Sequence, residues 1–201
     1  MLRNRKYLTQ EEVSLLLKNT KNTHSPERDY CLILMSFIHG LRVSEANSLK
    51  LSDISLSDKC LYIRRLKCGF STTHPILDDE FIALKKWLKV RNSKSGAECE
   101  WLFTSRQGGQ LTRQRIYQII RSLGKLAGVS VSSHPHMLRH ACGYALADRG
   151  IDTRLIQDYL GHRNIRHTVR YTAGNAQRFN GVWKYRGRPK KLHLGPNCNQ
   201  V

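Results

Sequence analysis

Apolar residues recur every three or four positions along most of this chain, and only one short region alternates apolar with polar side chains. Val13, Leu16 and Leu17 follow Thr9-x-x-Glu12, a capping box in which hydroxyl and carboxylate each accept from the other residue's backbone amide, so a first helix begins after Thr9. Ser25-Pro26 opens a second helix, apolar from Cys31 to Met35 and again at Phe37 and Ile38, and Gly40 should stop it. Arg42 then stands just past a helix end, with a short third helix predicted through Glu45 to Leu49. Cys60 to Arg65 and Phe70 to Ile76 read as strands joined near Lys67-Cys68-Gly69, a hairpin with Lys67 at its tip.

Asp78 or Asp79 should cap a helix carrying Phe81, Leu84 and Leu88, and Asn92 to Glu100 reads as a polar linker. Thr112 opens another helix, with Ile116, Ile119, Ile120, Leu123 and Ala127 on its apolar face and Gln114, Gln118, Arg121 and Lys125 opposite. Pro135 starts a helix, and Asp152 caps the next, which Gly161 ends. The pattern predicts a mainly α fold with a small antiparallel β-sheet, without internal repeats or low-complexity blocks.

Charge narrows the partner. Lys and Arg number 34 against 15 Asp and Glu, a net +19, which marks a polyanion and above all nucleic acid. After Asp158 no acidic residue appears, while Arg163, Arg166, Arg170, Arg178, Lys184, Arg186, Arg188, Lys190 and Lys191 do. The 201 residues, 40% hydrophobic, suit one core, so residues 1–186 are expected to be a single domain and 187–201 a basic, flexible tail. Six cysteines without C-x-x-C spacing and no signal-peptide profile predict free thiols and a cytoplasmic, nucleoid-associated protein. The longest apolar run falls far short of the ~20 residues of a bilayer span, so no membrane role is expected.

Six side chains carry the candidate chemistry: Arg42, Lys67, His136, Arg139, His162 and Tyr171. Charge on a transferring phosphoryl group is spread over its non-bridging oxygens, and guanidinium forks such as Arg42 and Arg139 clamp it with parallel hydrogen bonds. A tyrosine hydroxyl, with a reference pKa of about 10, needs cations and a proton acceptor to attack; His136 or His162 could serve. Lys67 could protonate a departing 5′ hydroxyl. His136 and Arg139, at i and i+3, share a helical face and could converge on one phosphate. Glu45 suits a partner that holds Arg42. His134, His136 and His140 lack the Glu of H-E-x-x-H and any cysteine at ligand spacing, so no metal is expected. No Walker A or dinucleotide fingerprint occurs, and no cofactor is expected.

The segments HGLRVSE, RRLKCGF, HPHMLRHACG and LGHRNIRHT, followed by Tyr171 nine residues after His162, resemble the tyrosine recombinases, the phage-integrase-like family. HPHMLRHACGY and DTRLIQDYLGHRNIRHTVRYT read like its small fimbrial phase-variation invertases from enteric bacteria. The resemblance implies the tyrosine recombinase catalytic-domain fold and a reaction at inverted repeats in double-stranded DNA through a 3′-phosphotyrosyl intermediate. It further implies inversion of a promoter element, a synaptic homotetramer and accessory DNA-bending proteins. Most larger relatives of that family carry a helical clamping domain ahead of the catalytic one; with only about 40 residues before Arg42, none is expected here. Phe179, Val182 and Trp183 are expected to dock on a neighbouring protomer. The competing readings are an integrase or excisionase of a mobile element, a relaxing topoisomerase, and a DNA-binding regulator without catalysis.

Overall fold

A computed structural model describes residues 5–65, 70–93 and 97–173. Lys67 and Cys68 at the predicted hairpin tip, and Phe179, Val182, Trp183 and the basic tail, lie outside these residues.

Helix α1 (Gln10–Asn19) starts where Thr9 and Glu12 form the predicted capping box, and its Val13 and Leu16 are buried. Helix α2 (Pro26–Ile38) has Pro at its first turn and runs through the centre, with Cys31, Leu32, Ile33 and Met35 inaccessible to solvent. It stops at Gly40, whose φ of 56° is left-handed; a Cβ there would also stand 2.4 Å from Leu160, so this turn needs glycine twice over. A short α3 (Val43–Asn47) follows with Arg42 as its N-cap residue.

The sheet has three antiparallel strands in the order β1 (Ile54–Ser55), β2 (Cys60–Ile63) and β3 (Thr72–Pro75), with Leu61 facing Ile54 on one side and His74 on the other. Both hairpin strands are shorter than their sequence patterns suggest, and β1, only two residues long, carries no periodicity to announce it. Leu61, Ile63 and, past the ladder, Arg65 all turn inward, while Tyr62 faces solvent.

Helix α4 (Asp78–Asn92) packs against α2, with Leu84 and Trp87 in the core and the indole Nε1 donating to the Leu102 carbonyl at 2.9 Å. Neither Asp78 nor Asp79 caps it. Leu77 is the N-cap residue; its backbone amide is met by the Glu80 carboxylate, while Asp78 pairs with Lys59 at 2.8 Å. Thr112 caps α5 (Arg113–Leu126), whose predicted isoleucines and Leu123 are buried beneath exposed Gln114, Gln118, Arg121 and Lys125. Helices α6 (Pro135–Asp148), α7 (Thr153–Leu160) and α8 (Arg166–Thr172) complete the described elements.

Most helices and the sheet share one large apolar core, beside which Cys142, Ala147, Ile156, Leu160 and Tyr171 form a smaller one between α6, α7 and α8. The candidate site lies where the two meet. Among the described residues no helix is long and apolar enough to cross a membrane, no cluster could hold a metal ion, and Cys31, Cys60, Cys99 and Cys142 are free thiols.

Candidate active site

Three guanidiniums converge on one carboxylate. Glu45, in the first turn of α3 and 1% exposed, accepts from the Arg42 amide at 2.9 Å and from its guanidinium at 2.6 Å. Its other contacts are Arg65 Nη1 at 2.9 Å and Arg139 Nη1 at 3.8 Å. Burial works to raise the Glu45 carboxyl, but Arg65, the Arg42 amide and Arg139 outweigh it, and the group stays below its ordinary value. Three guanidiniums around one carboxylate leave two positive charges uncompensated within this group, which suits an incoming phosphate.

Arg139, on α6, is 3% exposed and donates to the Gly40 carbonyl at 2.5 Å and the Leu160 carbonyl at 2.6 Å. It thereby laces the end of α2 to the end of α7. Burial first, and the nearby Arg42 charge second, bring its guanidinium down to about 10, so it stays charged at neutral pH. Arg42, a fifth exposed, reaches solvent on a cleft of about 640 Å³ whose wall also includes Arg154, His162, Arg163 and His167 and no acidic residue.

His162 follows the left-handed Gly161 that terminates α7, so its position is set by that helix end. Its Nδ1 lies 2.9 Å from Thr168 Oγ1. Burial, with Arg139 and Arg42 nearby, holds its ring down to about 3, hence neutral. The ring stacks on Tyr171, centroids 6.3 Å apart and 22° from parallel.

Tyr171, on α8, is 2% exposed, and burial pushes its hydroxyl up to about 12 although Arg139 and Arg170 pull the other way. The hydroxyl lies 2.8 Å from His140 Nδ1. Burial, with Arg170 next, brings His140 down to about 4, so it too is neutral. The tyrosine ring meets the edge of Tyr144 at 5.1 Å and lies flat over Gly143, where a Cβ would come within 2.6 Å of its carbons.

The structure therefore gathers Arg42, Arg139, His162 and Tyr171 into one region. His136 is on the same helix as Arg139 but at the surface, its ring 6.4 Å from His134, whereas Arg139 points into the core. Lys67 lies outside the described residues. Sequence reasoning missed two members. Arg65 had a signal: continuing the alternation of Leu61 and Ile63 places it inward. His140 had a fainter one, a glycine three residues on in a helix interior, which marks a close approach by something large. Beside the cleft, Arg113, Gln114, Tyr117, Gln118 and Arg121 of α5 form a second groove with Val43, next to Arg42.

The chain matches the phage integrase family over residues 6–178. It is 58% identical over 191 residues to the type 1 fimbriae regulatory protein FimB of Escherichia coli, covering 94% of this chain and 96% of that protein. It is 53% identical over 181 residues to the type 1 fimbriae regulatory protein FimE of the same species, covering 90% and 91%. Among solved structures, XerA recombinase superposes with a TM-score of 0.76 at 28% identity over 88% of this chain, which spans 63% of the XerA chain. XerH recombinase bound to difH in a pre-cleavage complex gives 0.74 at 25% identity over 91% of this chain and 55% of that one.

Proposed function

The chain belongs to the phage integrase family, and from that premise we propose that it is a tyrosine site-specific recombinase that inverts a promoter-bearing DNA segment between inverted repeats, controlling fimbrial phase variation. One observation carries the chemistry: a buried tyrosine hydroxyl on a neutral histidine, beside a cleft walled by cations and free of acids.

Arg42 and Arg139 clamp the scissile phosphate and take up the charge that develops on its oxygens. Tyr171 attacks phosphorus, its proton passes to His140 Nδ1, and the bond from phosphorus to the 5′ oxygen breaks. Lys67 gives that oxygen a proton. His162 in the cleft wall and His136 at the surface add hydrogen bonds to the phosphate. The 3′-phosphotyrosyl ester conserves the bond energy, so a 5′ hydroxyl of the partner strand reverses the step without metal, nucleotide or cofactor. The groove on α5 tracks the duplex, with Gln114, Gln118 and Arg121 placed to meet it.

Residues 1–186 act as one catalytic domain and 187–201 as a basic tail. Four protomers assemble around two repeats, Phe179, Val182 and Trp183 dock between neighbours, and accessory DNA-bending proteins shape the synapse. The protein works in the cytoplasm, on the nucleoid.

The test is a supercoiled plasmid whose reporter segment is flanked by the two inverted repeats of the fimbrial switch, incubated with the protein in EDTA without nucleotide. Inversion, read by restriction digest, is the expected result. DNA retardation without any strand exchange would favour the non-catalytic regulator, and excision or integration without inversion the mobile-element enzyme.

The role of His140 has its own check. His140→Ala should slow cleavage about 100-fold, the scale of a general base. Placing a fluorinated tyrosine, whose phenol is more acidic, at position 171 should restore most of that loss. A defect that fluorination leaves untouched would reduce His140 to a packing residue.

A further inference from the structure

The histidine that follows α7 is held at two levels. One residue pins its backbone: the His162 amide donates to the Gln157 carbonyl at 3.0 Å, and Gln157 Nε2 donates back to the His162 carbonyl at 2.8 Å and to that of Arg163 at 3.4 Å. Gln157 is itself buried. The imidazole is then set by packing, stacked on the Tyr171 ring and with His167 edge-on at 6.0 Å. Burial and the neighbouring Arg139 and Arg42 charges keep it neutral, so only one of its two nitrogens carries a proton. Backbone and packing leave open which one.

Thr168 closes that question. Its Oγ1 lies 2.9 Å from His162 Nδ1, the residue has no solvent exposure, and among the described residues the hydroxyl has no second partner. If the ring donated to it, the hydroxyl's own hydrogen would be buried without an acceptor, an arrangement that costs stability. If the hydroxyl donates, both buried atoms are satisfied: Nδ1 accepts and the ring proton sits on Nε2. No described residue engages that nitrogen, and His162 lines the cleft beside Arg42. An imidazole with its hydrogen on Nε2 can donate to a phosphate oxygen there, whereas one with its hydrogen on Nδ1 turns a lone pair toward the same oxygen and repels it.

We propose that Thr168 is a positioning residue that holds His162 as the Nε2–H tautomer, with that nitrogen offered to the scissile phosphate. The proposal rests on the reading of His162 as a hydrogen-bond donor to the phosphate. Thr168 and Tyr171 stand three residues apart on α8 and so share a face of that helix. The helix that carries Tyr171 thus also sets the proton of the histidine stacked on its ring.

Nuclear magnetic resonance of protein with isotopically labelled histidine nitrogens reads the tautomer directly, the His162 signals being those lost in His162→Ala. In wild type Nε2 should carry the hydrogen and Nδ1 none. Thr168→Val, which keeps the branched shape and loses the hydroxyl, should populate both forms, and Thr168→Ser should restore the single one. Cleavage of a nicked duplex of the inverted repeat is the second readout. His162→Ala should slow it about 100-fold, the scale of one lost donor to a developing oxyanion, Thr168→Val about tenfold, and Thr168→Ser less than about threefold. In a His162→Ala background Thr168→Val should cost nothing further, because a residue that acts through another has no effect once that other is gone. A further loss in that background, or wild-type cleavage by Thr168→Val alone, overturns the proposal. Wild-type cleavage by His162→Ala overturns instead the reading of His162 as a donor to the phosphate. Should Thr168→Val melt below the assay temperature, the wild-type tautomer decides alone, and a proton on Nδ1 overturns the proposal.

Discussion

Tyr171→Phe will bind its DNA site with wild-type affinity and form no covalent adduct. The substitution removes one oxygen from a ring whose packing against Gly143, Tyr144 and His162 stays in place. Its structural cost is one hydrogen bond, leaving His140 Nδ1 without its partner, about 1 kcal/mol. The chemical cost is the whole step. Rate losses of at least roughly 10⁴-fold follow when a covalent nucleophile is removed. A nicked duplex traps the ester because the short strand diffuses away, and the adduct is read as a protease-sensitive band on a denaturing gel. Equal yield from wild type and variant would place the nucleophile elsewhere.

Glu45→Ala should unfold the protein more readily than loss of any single cation around it. Glu45 is the shared partner of Arg42, Arg65 and Arg139, and two of those guanidiniums are themselves buried. Removing one member of a buried ion group leaves the others unneutralised and costs about 3–5 kcal/mol, a large part of a typical total of about 5–15. Arg42 also loses the carboxylate that fixes both its backbone and its side chain, so cleavage by any folded fraction should fall as well. Glu45→Gln, which keeps an acceptor but not the charge, should fall between the two. Because the folded carboxyl sits below its ordinary 4.5, its contribution is complete above that pH and is lost as pH falls through the lower folded value. The alanine variant should lack that acid limb. Melting temperatures across pH provide the measurement, and an alanine variant as stable as wild type at neutral pH would show that Glu45 does not neutralise the cluster.

Local chemistry was legible in the sequence where a residue acts on its immediate neighbours. Thr9, Pro26, Thr112, Asp152 and Gly161 mark helix ends because caps and left-handed turns are decided within four residues, and all five do so in the structure. The spacing from His162 to Tyr171 was visible for the same reason. What stayed hidden depends on partners far away in sequence. Arg139 donates to Gly40, 99 positions earlier, and Arg65 to Tyr159, 94 positions later. Of the histidines that the motifs offer as proton acceptors, His136 lies at the surface and His162 turns Nδ1 to Thr168, while His140 sits on the tyrosine hydroxyl 31 positions away. Asp78 does not cap α4 because the helix begins one residue earlier than its sequence suggests, with Leu77 as N-cap and Asp78 already in the first turn, its carboxylate paired with Lys59.

Tyr171 and the hydrogen atom that serves as side chain at position 143 form one heritable unit. A tyrosine lying flat on a helix backbone needs a bare spot beneath it, so a transplanted α8 would keep its ring in place only on a scaffold that brings this glycine along. A side chain at position 143 would be selected against through the ring of Tyr171, the group it would displace.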